Sequence, residues 1–189
     1  MKFIKIIPNI LSLLRIIIAP VLLFFAWNGY KNYFLAFLIL SLLSDAVDGF
    51  IARKFEISTS TGAKLDSFGD MATYLVIPLC AWWLWPEILK QEAPYVLMTI
   101  CSYIFPLVAG ILKFHKVPSY HTYGAKIAAV IMSIAILFLF LTELRFIFKF
   151  AAIFQVIVAL EEIAITIQLP YLKSNVKSIW HVMNELEET

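Results

Sequence analysis

The chain has 189 residues, is 62% hydrophobic and only 15% charged, which excludes an ordinary soluble domain and fits a polytopic membrane protein. A net charge of +2 gives no case for nucleic acid as a partner. Cys80 and Cys101 lie in apolar runs with no CxxC pattern, so they read as buried small residues rather than as a disulfide framework or a metal site.

A helix crossing ~30 Å of hydrocarbon needs about 20 residues. Six segments meet that length: residues 8–27, 32–55, 61–85, 93–114, 123–144 and 145–169. Asn28 and Gly29 close the first, residues 58–60 cap the third, Pro86 follows it, Pro118 and Ser119 precede the fifth, and Pro170 stops the sixth. The predicted fold is therefore all-α and integral to the membrane, with six transmembrane helices. It forms one membrane-embedded domain over residues 1–189, ending in a short polar tail over 171–189. The opening MKFIKIIPNILSLLR has lysines and an apolar stretch but no small-residue cleavage site, so it reads as retained and not as a signal peptide. Ile7, Ile10, Leu11, Leu14 and Ile18 recur at helical spacing, with Asn9 and Arg15 off the stripe. A short amphipathic helix lying in the interface before Pro20 also fits this start. The tail suits a short surface helix or a frayed end.

Basic residues set the orientation. With the N-terminus inside, Lys2, Lys5, Arg53, Lys54, Lys64, Lys113, Lys116, Lys126, Lys173 and Lys177 fall on the cytoplasmic side, against Lys31, Lys90, Arg145 and Lys149 outside, with Arg15 uncounted. This predicts both termini in the cytoplasm and, from the size of the chain, a bacterial inner membrane.

The second and third segments meet in a stretch that holds Asp45, Asp48, Asp66 and Asp70. A carboxylate at the bilayer centre costs ~2.5–3.5 kcal/mol on insertion scales, so such residues usually face a partner or a wet cavity. Asp45 and Asp48 share a helix face at i,i+3, and Asp66 and Asp70 share another at i,i+4. Gly62, Asp66 and Asp70 form one stripe, and Gly49 and Gly69 remove bulk beside the acids so that a backbone or a phosphate can approach. Two such helices packed together would point four carboxylates into one cavity, with a divalent cation as the natural counter-charge. The plainer alternative is a set of helix-end acids solvated at the membrane surface. Metals held by these acids would clamp a diphosphate and stabilise its leaving oxygen. An acid apart from them would take the proton of an attacking hydroxyl, and Arg53 would pair with a phosphate. The residues thus point to metal-assisted transfer on a diphosphate substrate.

The pattern Asp45-x2-Asp48-Gly49-x2-Ala52-Arg53-x8-Gly62-x3-Asp66-x3-Asp70 places eight fixed residues over 26 positions. It resembles the signature of the CDP-alcohol phosphotransferase family at every fixed position. The resemblance implies an integral membrane enzyme that moves a phosphatidyl group from CDP-diacylglycerol to a small alcohol, releasing CMP, in phospholipid biosynthesis. It also implies magnesium or manganese, two ions per site, and a homodimer. By the same resemblance Asp45, Asp48 and Asp66 are metal ligands, and Asp70 is the general base and also a ligand. Asp48, Gly49, Ala52, Arg53 and Gly62 would surround the cytidine diphosphate.

Three further stretches bear on the acceptor. PNILSLLR is similar to the opening of phosphatidylglycerophosphate synthases, with Ser12 where threonine is usual. LDSFGDMATYLVIP is nearer to the pattern of phosphatidylserine synthases. YGAKIAAV keeps only Lys126 of the glycerophosphate enzymes' GKxKTxxQ. Glycerol 3-phosphate is the expected acceptor, with serine or inositol phosphate as alternatives. A phosphorylated acceptor needs cations. Lys113, His115, Lys116, His121 and Lys126 cluster between the fourth and fifth segments, and Arg15 and Lys64 would approach the same face. Lys64, Lys113 and Lys126 are the acceptor-binding candidates, Lys126 foremost; the alternative is charge that only sets topology. Glu161 and Glu162 either face the site, pair with a cation such as Lys126, or sit wet at a helix end. Trp82, Trp83 and Trp85 are expected in the interfacial belt. Two other classes remain open. An intramembrane prenyltransferase would carry its aspartate motif twice, and a small cation- or proton-coupled transporter would show matched halves.

Overall fold

Within hydrocarbon every backbone N–H and C=O must be satisfied inside the chain, which forces long apolar stretches into helix. The computed structural model describes residues 7–54, 60–173 and 176–187. Among them all regular structure is helical: α1 (Ile7–Trp27), α2 (Lys31–Lys54), α3 (Ser60–Leu84), α4 (Pro86–Gln91), α5 (Ala93–Phe114), α6 (Tyr123–Thr142), α7 (Arg145–Gln168) and α8 (Ile179–Glu187). Among the described residues four helical stretches are long and apolar enough to cross a membrane, namely Asn9–Trp27, Ala93–Phe114, Tyr123–Thr142 and Arg145–Gln168. The six expected spans are thus met by four. α2 and α3 have the length, at 24 and 25 residues, but carry the acidic stretch; Leu75–Leu84 stands as a shorter apolar helix. The chain divides into two compact units, Met1–Lys90 and Gln91–Thr189.

In the first unit α1 packs along both α2 and α3. α1 does not stop before Pro20: the helix continues through it to Trp27, since neighbouring helices can absorb the freed backbone groups of a proline. The face that α1 buries is Ser12, Arg15, Ile18, Ala19, Leu22 and Ala26, while Ile10, Leu13 and Ile17 are exposed. Within the apolar stripe Ile18 is buried and Ile10 exposed, because lipid is as good a solvent for isoleucine as a protein core is, and small and polar residues therefore share the helix interface. At the Trp27 end, Asn28 Nδ2 donates to the Phe24 carbonyl at 2.8 Å, and Gly29 takes φ +74°, a left-handed turn suited to glycine. Trp82 is exposed as a belt residue should be, and Trp83 meets Trp27 edge-on at 5.0 Å. Trp85 corrects the expectation. It is buried against Phe34 at 5.8 Å, with Lys31 Nζ 5.3 Å from its ring.

In the second unit α7 packs on α5, α6 and α8. α5 ends at His115 in the left-handed region, φ 53°, and the loop then folds back so that Pro118 lies against Gly110. A Cβ on Gly110 would sit 2.4 Å from Pro118 Cγ. The proline ring cannot swing away. Gly110→Ala is expected to cost about 1–3 kcal/mol, as over-packing does, read as a lower thermal midpoint of the purified protein. The tail is not simply frayed. Val176 and Val182 pack with Tyr120, Ile165 and Leu169 in one buried cluster, which docks α8 on the end of α7.

Candidate active site

The acidic motif is carried by the end of α2 and the beginning of α3. Asp45, Asp48, Gly49, Ala52 and Arg53 fall within α2, and Gly62, Lys64, Asp66 and Asp70 within α3. Of these, only Asp45 has a described side chain; the side-chain placements expected for the other eight lie outside the described residues. Asp45 forms an ion pair with Arg15 of α1. The guanidinium is only 2% exposed, whereas Asp45 keeps 46% of its side chain open. Arginine suits this place because it stays charged when buried and presents its donors in a fixed fork. Beside it, a Cβ on Gly69 would stand 3.3 Å from the Ser12 carbonyl oxygen and 3.4 Å from Arg15 Nε. Gly69 therefore lets the α1 backbone approach α3, which is the close approach expected of a glycine beside the acids. Among the described residues no three His, Cys, Asp or Glu side chains come together as a metal site.

In the second unit the basic residues have different fates. Lys113 Nζ donates to the Ile167 carbonyl at 2.7 Å, covering a last-turn acceptor of α7, a favourable place for a cation. His121 Nε2 and Ser119 Oγ are 2.6 Å apart. Lys116 and Lys126 are exposed, Lys126 in the first turn of α6. Thr122 caps that helix, its Oγ1 accepting from Ala125 N–H at 3.0 Å. Glu161 does not need a cation for its placement, since Oε1 accepts the Ile179 N–H at 3.2 Å. The buried Tyr120 hydroxyl lies 2.8 Å from Thr166 Oγ1. Burial pushes the Tyr120 hydroxyl above its usual value, opposed by the Thr166 hydrogen bond and aided by the Glu162 carboxylate, so it stays a protonated phenol. Glu92, just before α5, is buried between Arg145 at 3.9 Å and Lys149 at 3.6 Å. Sequence reasoning had placed those two cations outside as topology charge and missed their acid. Its partners lie on α7, far along the chain, and no local pattern marks such a pairing.

The sequence model of the CDP-alcohol phosphatidyltransferase family matches residues 5–169. The chain belongs to the CDP-alcohol phosphatidyltransferase family. A CDP-diacylglycerol–glycerol-3-phosphate 3-phosphatidyltransferase of Aquifex aeolicus is 42% identical over 65 residues, covering 34% of this chain and 36% of the relative. The enzyme of the same name from Rickettsia prowazekii is 38% identical over 73 residues, 37% of this chain and 40% of the relative. A Schizosaccharomyces pombe protein, a cardiolipin synthase (CMP-forming)/mitochondrial hydrolase fusion, is 30% identical over 73 residues, 39% of this chain and 12% of the relative. The chain thus spans well under half the length of these relatives. No solved structure matches it. Membership of this membrane-enzyme family, together with the four apolar helices, makes the CDP-alcohol phosphatidyltransferase chain an integral membrane protein.

Proposed function

We propose that this chain transfers the phosphatidyl group of CDP-diacylglycerol to sn-glycerol 3-phosphate, releasing CMP. The observation that carries this is the complete eight-residue acidic motif, which lies across the end of α2 and the start of α3. The names of the Aquifex and Rickettsia relatives support the acceptor. The acceptor hydroxyl oxygen forms a bond to the phosphorus of the phosphatidyl group. The bond from that phosphorus to the CMP oxygen breaks, CMP keeps the electron pair, and Asp70 takes the hydroxyl proton.

The four acids of the motif would suit two magnesium or manganese ions. The donor set is all carboxylate oxygen, which suits hard cations, and Asp45 is held by Arg15 yet remains half open. Asp45, Asp48 and Asp66, with Asp70, would hold them. The bound ions would neutralise the diphosphate and ease departure of CMP. Gly49, Ala52, Arg53 and Gly62 would line the cytidine diphosphate. Lys126 and Lys64 would receive the acceptor phosphate, while Lys113 is engaged by the end of α7. The full proposal includes six spans, with α2 and α3 completing the set, both termini and the acids on the cytoplasmic side of a bacterial inner membrane, and a homodimer.

The test is CMP release by purified protein with CDP-diacylglycerol and magnesium, with glycerol 3-phosphate, serine, inositol 1-phosphate and phosphatidylglycerol in separate arms. Release with glycerol 3-phosphate, abolished by chelation and restored by magnesium, is expected. The name of the Schizosaccharomyces pombe relative favours phosphatidylglycerol as the second reading, and release in that arm alone would establish it. Failure to bind any CDP-lipid would defeat both.

A further inference from the structure

The start of α6 is held by residues from the far end of the chain. The first four N–H groups of a helix find no partner within it. Here the Tyr123 N–H donates to the Lys177 carbonyl at 3.1 Å, and the Ala125 N–H to Thr122 Oγ1 at 3.0 Å. Lys177 is itself fixed by its neighbours at the start of α8. The Ile179 N–H, at the beginning of that helix, donates to Glu161 Oε1 of α7 at 3.2 Å. A carboxylate is well placed there, because it meets the positive end of the α8 dipole with a charge-assisted bond. Its other oxygen lies 3.0 Å from where a Cβ on Gly124 would stand. One carboxylate therefore touches the first turn of α8 and the first turn of α6. A Cβ on Gly124 would crowd this carboxylate, which would have to shift by a few tenths of an ångström. The buried cluster of Tyr120, Ile165, Leu169, Val176 and Val182 keeps the same three segments together.

We propose that Glu161 is a positioning residue for Lys126. It ties the C-terminal segment to α7, the Lys177 carbonyl of that segment fixes where α6 begins, and the first turn of α6 presents Lys126. The proposal rests on Lys126 receiving the acceptor phosphate. A cation in the first turn of a helix opposes the dipole, so its placement there must be enforced from outside the helix.

The experiment uses the full chain and measures CMP release from CDP-diacylglycerol with magnesium against glycerol 3-phosphate concentration. Glu161→Ala is expected to raise the KM for glycerol 3-phosphate about tenfold, as misplaced binding groups do, with kcat and the donor KM unchanged. Glu161→Gln keeps an oxygen acceptor for the Ile179 N–H and is expected to behave as wild type. Lys126→Ala is expected to raise the same KM. A rise for Lys126→Ala without one for Glu161→Ala overturns the proposal and leaves the role of Lys126 standing. No rise for Lys126→Ala, or no CMP release by the wild type, overturns that role and the proposal with it. Equal loss in kcat and both KM values on Glu161→Ala also overturns it, as general damage. Should Glu161→Ala fail to fold, Ile179→Ala serves as the control for the apolar side chain packed on the buried cluster, and Ile179→Pro, tolerated at the first helical position, removes the donor as well. An unchanged acceptor KM in that variant is equally decisive against the proposal.

Discussion

Asp70→Asn is expected to lower CMP release about 10²–10⁴-fold, the range for loss of a positioned general base. The substitution preserves size and one oxygen while removing the proton acceptor, so the helical stripe with Gly62 and Asp66 is undisturbed. Asp70 belongs to α3, one turn beyond Asp66, whereas Asp45 and Asp48 belong to α2. The measurement that separates base from ligand is manganese binding followed by electron paramagnetic resonance. A base that is at most a weak ligand leaves manganese affinity within a few-fold while the rate collapses. A fall in affinity that matches the fall in rate would instead make Asp70 mainly a ligand. Wild-type release by the variant would remove it from the chemistry.

Arg15→Ala is expected to destabilise the protein strongly and to abolish metal-dependent release. Stranding a buried charge costs ~3–5 kcal/mol. Here the carboxylate left behind keeps 46% of its side chain open, so solvent compensates much of its charge and the loss falls below that range. The vacated space of the buried arginine side chain adds to it. The diagnostic is the second substitution. Asp45→Asn added to Arg15→Ala removes the stranded charge, and a double-mutant cycle read by denaturant unfolding should show part of the loss recovered. Strict additivity would mean that the pair does not couple. Arg15→Lys is expected to fall short of rescue, since an ammonium cannot reproduce the planar fork of donors. Arg15 thus orders α1 between the two helices that carry the acids, and its loss acts on the site through Asp45.

Helix positions were legible in the sequence because length, proline, glycine and capping residues are local signals. All six long segments end within two residues of the observed helices. Which face of a helix turns inward was not legible. The regular spacing in α1 put Ile10 and Ile18 on one stripe, yet Ile10 is exposed, Ile18 is buried and Arg15 is among the most buried large side chains. Periodicity reports that two faces differ, but not which one the bilayer receives. Trp85 fails for the same reason, since the belt preference describes tryptophan at an interface and says nothing of a neighbour such as Phe34. The motif was legible as chemistry because its residue types and spacing are specific. The role of Glu161 was not, because its partner is a backbone N–H 18 positions later, and no side-chain pattern marks such a contact.

The burial of Arg15 bears on how the protein is made. A nascent chain emerges N-terminus first, so α1 is synthesised while Asp45 does not yet exist. An arginine at a helix centre adds about 2.5–3.5 kcal/mol to the cost of membrane insertion. Until the partner arrives, the guanidinium must stay among lipid headgroups or water. It can settle between the helices only after the ribosome has added the 30 residues that separate it from its carboxylate. α1 therefore reaches its packed arrangement with the Arg15–Asp45 pair only once α2 has been made. Assembly around a pre-formed charge pair orders the acid-bearing helices before any substrate is met.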